Sequence, residues 1–147
     1  MSHILSRVFA VVTLSLLGWG FVSSSALAAE PVKVVYHLSE GLDQASRSLA
    51  NIRNHLQAEP STKIVVVTHG DGIKFLLEGA QDRNGKPYDA AVAALASAGV
   101  EFRVCNNTLV ARNIAPEKVL LEAKIVPSGV AEVARLQARE NFVYLHP

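Results

Sequence analysis

The sequence predicts an α/β fold: a three-layer sandwich with a mostly parallel sheet of about five strands flanked by helices. Three observations carry this expectation. Short β-branched runs alternate with segments of helical apolar spacing along most of the chain. The connections between them are brief and rich in Gly, Pro, Asn and Asp. Ile64-Val65-Val66-Val67 is continuously apolar, as a strand covered on both faces must be.

Taken in order, Val32 to Leu38 is β-branched and aromatic and forms the first strand. From Leu42 to Ala58, residues Ala45, Leu49, Ile52 and Leu56 mark one face of a helix that Pro60 ends. Ile64 to Val67 is the second strand, and Thr68-His69-Gly70-Asp71-Gly72 turns the chain. Ile73, Leu76, Leu77 and Ala80 then predict a helix, followed by a polar stretch with an Asn84-Gly85 turn. Pro87 opens a helix reaching Ala98, with Tyr88, Ala91, Val92 and Leu95 on one side and Gly99 as its stop. Val100 to Val104 is a strand in which Glu101 and Arg103 alternate outward. Asn106 to Asn113 reads as a short helix, Pro116 to about Ala123 as another, and Lys124 to Pro127 as a short strand. Val130, Val133 and Ala134 mark a final helix and Phe142 to Leu145 a final strand.

The first 29 residues stand apart. A start with one basic residue (Arg7), an apolar run from Val8 to Val22 and the small-residue ending Ser23-Ser24-Ser25-Ala26-Leu27-Ala28-Ala29 are the three parts of a secretory signal peptide. The apolar run is shorter than the roughly 20 residues of a spanning helix. Cleavage is expected after Ala28 or Ala29, leaving one periplasmic domain, 30–147, with no membrane attachment. Arg7 is the only charge lost, so the formal balance of +1 becomes zero.

Composition sets further bounds. Fourteen basic against 13 acidic residues give no electrostatic footprint for nucleic acid or an anionic membrane. A charged fraction of 18% beside 50% apolar residues excludes a disordered chain. A single cysteine, Cys105, excludes an internal disulfide framework, a Cys-rich zinc or iron–sulfur site and a lipobox. No cofactor is expected. Gly79 to Gly85-Lys86 has Pro87 where a phosphate loop needs Ser or Thr. His69-Gly70-Asp71-Gly72 lacks the spacing of a dinucleotide fingerprint.

In an open α/β sheet the functional crevice lies beyond the carboxyl ends of the strands. His37, His69, Cys105 and the pair Ser128-Gly129 occupy those positions. Cys105 is the principal candidate. It sits at a strand-to-helix junction, where the free N–H groups of a first turn lower a thiol pKa, and a thiolate can hold sulfane sulfur as a persulfide. Against this stands the habit of free cysteines to fill cores. His69 could deprotonate Cys105, bind an anion with the Gly70 amide, or ligate a metal. His37, Asn106, Asn107 and Ser128 complete the candidate ligand-binding edge. A transition-metal site of His37, His69 and Cys105 needs the three strands to be adjacent; no resident metal is expected.

The ordered set of the opening strand, the Val-rich strand into His69-Gly70, Phe102-Arg103-Val104-Cys105 before a short helix, Ile125 to Val130, and Arg135-Leu136-Gln137 through Tyr144 resembles the DsrE/DsrF-like family. This family includes sulfur-relay subunits such as DsrE and TusD and the small protein YchN. The resemblance implies a parallel α/β sandwich, a trimer or hexamer of identical chains, and persulfide acceptance at the residue matching Cys105. Two departures stand out: the relay proteins are cytoplasmic, and Asn106-Asn107-Thr108 replaces the small apolar residues that often follow the relay cysteine.

The function expected is therefore a periplasmic sulfur carrier. Cys105 takes sulfur from a donor and yields it to an acceptor protein, both unidentified, because no second cysteine can resolve the persulfide internally. The competing readings are an oligomeric small-ligand-binding protein with an inert Cys105, and a metal chaperone.

Overall fold

The computed structural model describes residues 30–147; the expected leader lies outside the described residues. Five strands, β1 (Lys33–Leu38), β2 (Lys63–Thr68), β3 (Glu101–Cys105), β4 (Ala123–Val126) and β5 (Val143–Leu145), form one sheet in the order β4-β3-β2-β1-β5. Every neighbouring pair is parallel. The chain steps outward from β1 to β4, then returns to place β5 on the far side of β1.

The helices are α1 (Leu42–Ala58), α2 (Asp89–Ser97), α3 (Asn106–Ala111) and α4 (Gly129–Glu140). Period-two alternation along the strands sends residues to two cores. Val34, Tyr36 and Leu38 of β1, Ile64 and Val66 of β2, and Phe102 and Val104 of β3 pack with Leu49 and Ile52 of α1 and Val92 and Leu95 of α2. Val35, Val65 and Val67 face the other way, against Val133 and Leu136 of α4 and Phe142. The sandwich is thus three-layered, with α4 in the layer opposite α1 and α2. Arg103 of β3 binds Glu132 of α4 and, at 2.8 Å, Glu101, fixing α4 over the sheet. Among the described residues no helix is long and apolar enough to cross a membrane.

Three expected elements are corrected. The segment after β2 is a 3-10 helix, Gly70–Leu76, rather than an α-helix running to Ala80. Ile73, Leu76 spacing serves a three-residue turn as well as an α-helix. Leu77 then leaves the helix to bridge Val119. The next helix begins at Asp89 instead of Pro87, because Pro87 is held opposite Gln81 and the Asp82 carboxylate accepts from the N–H groups of Asn84 and Lys86. Pro116 opens only a 3-10 turn, Pro116–Lys118. Val119 is drawn to Leu77, and Leu120 donates to the Leu76 carbonyl at 2.9 Å, so the chain cannot close another helical turn.

Candidate functional site

Because all strands run the same way, their carboxyl ends share one edge, with Cys105, His69, His37 and Tyr144 following the strand order β3, β2, β1, β5. Cys105 is both the last residue of β3 and the N-cap residue of α3, and is 4% exposed. Burial pushes its thiol pKa up. The Gly129 N–H, the hydroxyl and N–H of Thr108 and the Asn107 N–H favour the thiolate more strongly, and the net pKa lies below that of an ordinary thiol. The sulfur therefore faces the first turns of two helices, α3 and α4.

Gly129 makes that convergence possible. A Cβ there would lie 3.1 Å from the Thr68 carbonyl oxygen and 3.2 Å from the Cβ atoms of both Cys105 and His69. Without a side chain, residue 129 lets the start of α4 approach the ends of β2 and β3 with no atom pressed into those contacts. Ser128 is committed to capping α4, its hydroxyl accepting from the Ala131 N–H at 3.4 Å. The Gly70 amide, at φ +55°, donates to the Thr108 hydroxyl at 3.1 Å, so it reaches Cys105 through Thr108. Asn106 is half-buried and Asn107 exposed.

His69 donates its backbone N–H to the Leu38 carbonyl at 3.1 Å and directs its ring at the His37 ring, with centroids 4.8 Å apart and planes 33° from parallel. His37 Nδ1 hydrogen-bonds the Tyr144 hydroxyl at 2.8 Å. Burial lowers the His37 pKa to about 4, with the neighbouring His69 and His146 adding to the effect; burial also lowers that of His69. Both rings are neutral at pH 7. Behind them Gln44, 1% exposed, accepts from the N–H groups of Ser39 and Glu40 and donates to the Pro147 carbonyl, tying the β1–α1 turn to the segment after β5.

The structure thus brings together Cys105, His69, His37, Gly70 and the Asn106-Asn107 turn, with Ser128 in a capping role. Among the described residues no group of three or more His, Cys, Asp or Glu side chains is disposed to hold a metal ion, so His37, His69 and Cys105 do not form the metal trio considered above. Sequence reasoning missed Tyr144, Thr108 and the Gly129 amide. Tyr144 could have been found only by knowing that β5 pairs with β1, where Val35 and Tyr144 are partners.

Residues 25–144 match the sequence profile of the DsrE/DsrF-like family. Among solved structures, a protein of unknown function, MTH1491 from Methanobacterium thermoautotrophicum, is 28% identical with a TM-score of 0.70; the match covers 79% of this chain and 99% of that one. The ychN protein from E. coli shares the fold at 14% identity and a TM-score of 0.63, over 80% of this chain and 97% of the other. No curated protein matches the chain. With the family profile covering β1 to β4, the site residues and the first part of β5, the chain belongs to the DsrE/DsrF-like family.

Proposed function

We propose that this protein accepts sulfane sulfur on Cys105 and delivers it to a partner thiol. The observation that carries the reading is the placing of Cys105, 4% exposed, at the junction of β3 and α3 against the first residue of α4, where neighbouring N–H groups lower its pKa. A filler cysteine in an apolar core has the opposite shift. Family membership supports the same chemistry, since the family is associated with sulfur relay. The persulfide replaces thiolate by a larger anion that the same N–H groups can hold. His69 then orients the incoming anion, the thiolate needing no separate base. Asn106 and Asn107 follow Cys105 directly, Asn107 on the exposed side from which donor and acceptor would approach.

The leader sequence supports work in the periplasm, and assembly of identical chains is supported by an apolar border: Val32, Val143, Tyr144 and Leu145 are all exposed beside the outer edge of β5.

The competing reading, an inert structural cysteine in a binding protein, is favoured by the low exposure of Cys105 and is separated by alkylation of the folded chain. With iodoacetamide, Cys105 is expected to react at pH 7 well before unfolding, and the rate to level off below the pH at which a free thiol does so, near 8.5. Resistance until the chain unfolds contradicts the carrier reading.

A further inference from the structure

The ion pair between Arg103 of β3 and Glu132 of α4 has side chains only 14% and 12% exposed. Every other ion pair among the described residues has at least one partner exposed by 31% or more. Exposed pairs add little to folding, and a pair drawn this far from water carries a desolvation cost that good geometry must offset. Its place in the fold shows what it holds.

We infer that Arg103 and Glu132 are positioning residues for Cys105: their pair latches the first turn of α4 to β3 and so keeps Gly129 seated against the cysteine. This rests on the sulfur-acceptor reading above and names two residues on which that site depends.

Three observations converge. First, Arg103 and Cys105 lie two residues apart on β3, on the face toward α4, because Phe102 and Val104 belong to the core beneath α1 and α2. The Arg103 carbonyl also accepts from the Thr68 hydroxyl at 3.2 Å, which fixes the strand end beside β2. Second, Glu132 and Gly129 belong to one helical turn. The Glu132 N–H donates to the Ser128 carbonyl at 3.0 Å and the Ser128 hydroxyl accepts from the Ala131 N–H, so the turn moves as a unit. Its inner end is the closest approach of α4 to the site, a Cβ on Gly129 lying 3.2 Å from the Cβ atoms of Cys105 and His69. Third, little else secures that end of the helix. Only Val133 and Leu136 of α4 enter the apolar cluster on this face, and both follow Glu132.

The guanidinium is well suited to the task. One terminal nitrogen binds Glu132 while the other binds Glu101 of the same strand at 2.8 Å, so the fork is fixed to β3 before it reaches across. Arg135 holds both Glu132 oxygens, at 2.8 and 3.0 Å, from within the helix. Arg103 alone in this network ties helix to strand. The Gly129 N–H that favours the thiolate keeps its place only while the tie holds.

The test is the pH profile of iodoacetamide alkylation of Cys105 in the folded chain. Arg103→Met is expected to raise its midpoint by about half a pH unit and to slow alkylation at pH 7 about threefold. Arg103→Lys, which keeps the charge but not the fork, recovers part of the loss and serves if the methionine variant folds poorly. Arg135→Met removes the same charge without detaching helix from strand, and its midpoint should stay at the wild-type value. Leu49→Ala, which loosens the opposite layer, should lower thermal stability with the midpoint unmoved. Glu132→Met separates positioning from a direct effect of charge. Loss of a carboxylate acting through space would lower the midpoint, and loss of the latch raises it. An unchanged midpoint in folded Arg103→Met, or a lowered one in Glu132→Met, overturns the inference and leaves the carrier reading standing. An equal rise in Leu49→Ala also overturns it, since general loosening would then suffice. A wild-type chain that alkylates with these shifts yet gains no sulfur from polysulfide overturns the carrier reading and leaves the latch. Resistance of folded wild-type Cys105 at every pH overturns both.

Discussion

Gly72→Ala is expected to cost about 3 kcal/mol of stability, the upper part of the range for overpacking, and to lower Tm by about 10 °C in a domain of this size. A Cβ at position 72 would lie 2.2 Å from the Leu38 carbonyl oxygen, 2.5 Å from its carbon and 2.8 Å from the Ser39 nitrogen. All three are backbone atoms, and none can rotate away. Leu38 is fully buried, opposite Thr68 in the sheet, and its carbonyl accepts from the His69 N–H. The 3-10 turn must therefore lift from β1, carrying His69 with it. Gly41→Ala is the matched control, because nothing lies within 4 Å of its Cβ. Its effect should stay below about 1 kcal/mol, as for an N-cap exchange. Thermal unfolding of both variants checks the contrast; a Gly72→Ala midpoint within about 2 °C of wild type would mean that the turn yields freely.

Gly129→Ala acts on chemistry more than on folding. Its Cβ would press at 3.1–3.2 Å on the Thr68 carbonyl, Cys105 and His69. Relief comes from withdrawing the start of α4, and with it the first N–H that favours the thiolate. The Cys105 pKa then rises toward the value burial alone would give. Native-state alkylation at pH 7 should fall about threefold to tenfold, since one pKa unit changes the thiolate fraction about tenfold below the pKa. The difference should narrow as pH rises, the variant thiol ionising later than that of the wild type. The same shift has a stability sign. A thiol whose folded pKa is below its unfolded value contributes stability that is fully present above the unfolded pKa. That contribution is lost as pH falls through the folded pKa, so the variant should lose part of its alkaline stabilisation.

The parallel sheet was legible because its signals are local. Four-residue apolar runs such as Ile64 to Val67 report burial on both faces, and helical spacing in Leu42 to Ala58 reports the layer above. Element ends were less legible where distant chain segments decide them. Leu77 and Val119 bridge each other across a long separation in sequence, which shortens two expected helices at once. The site divides in the same way. Cys105, His69 and His37 were readable as strand-end residues, since all ends of parallel strands share an edge. That β5 returns beside β1 was not readable, and with it Tyr144 and its bond to His37. The role of Gly129 was equally hidden. Its lack of a side chain matters only because α4 packs its first turn against Thr68, Cys105 and His69, a fact of tertiary approach rather than of spacing.

The most direct measurement is the intact mass of the domain after exposure to polysulfide, beside Cys105→Ser. A gain of one sulfur atom on the wild type alone, removed by reductant and transferable to an added thiol, is the predicted result. No gain on a folded wild-type chain, or an equal gain on Cys105→Ser, would contradict a sulfur-accepting role for Cys105.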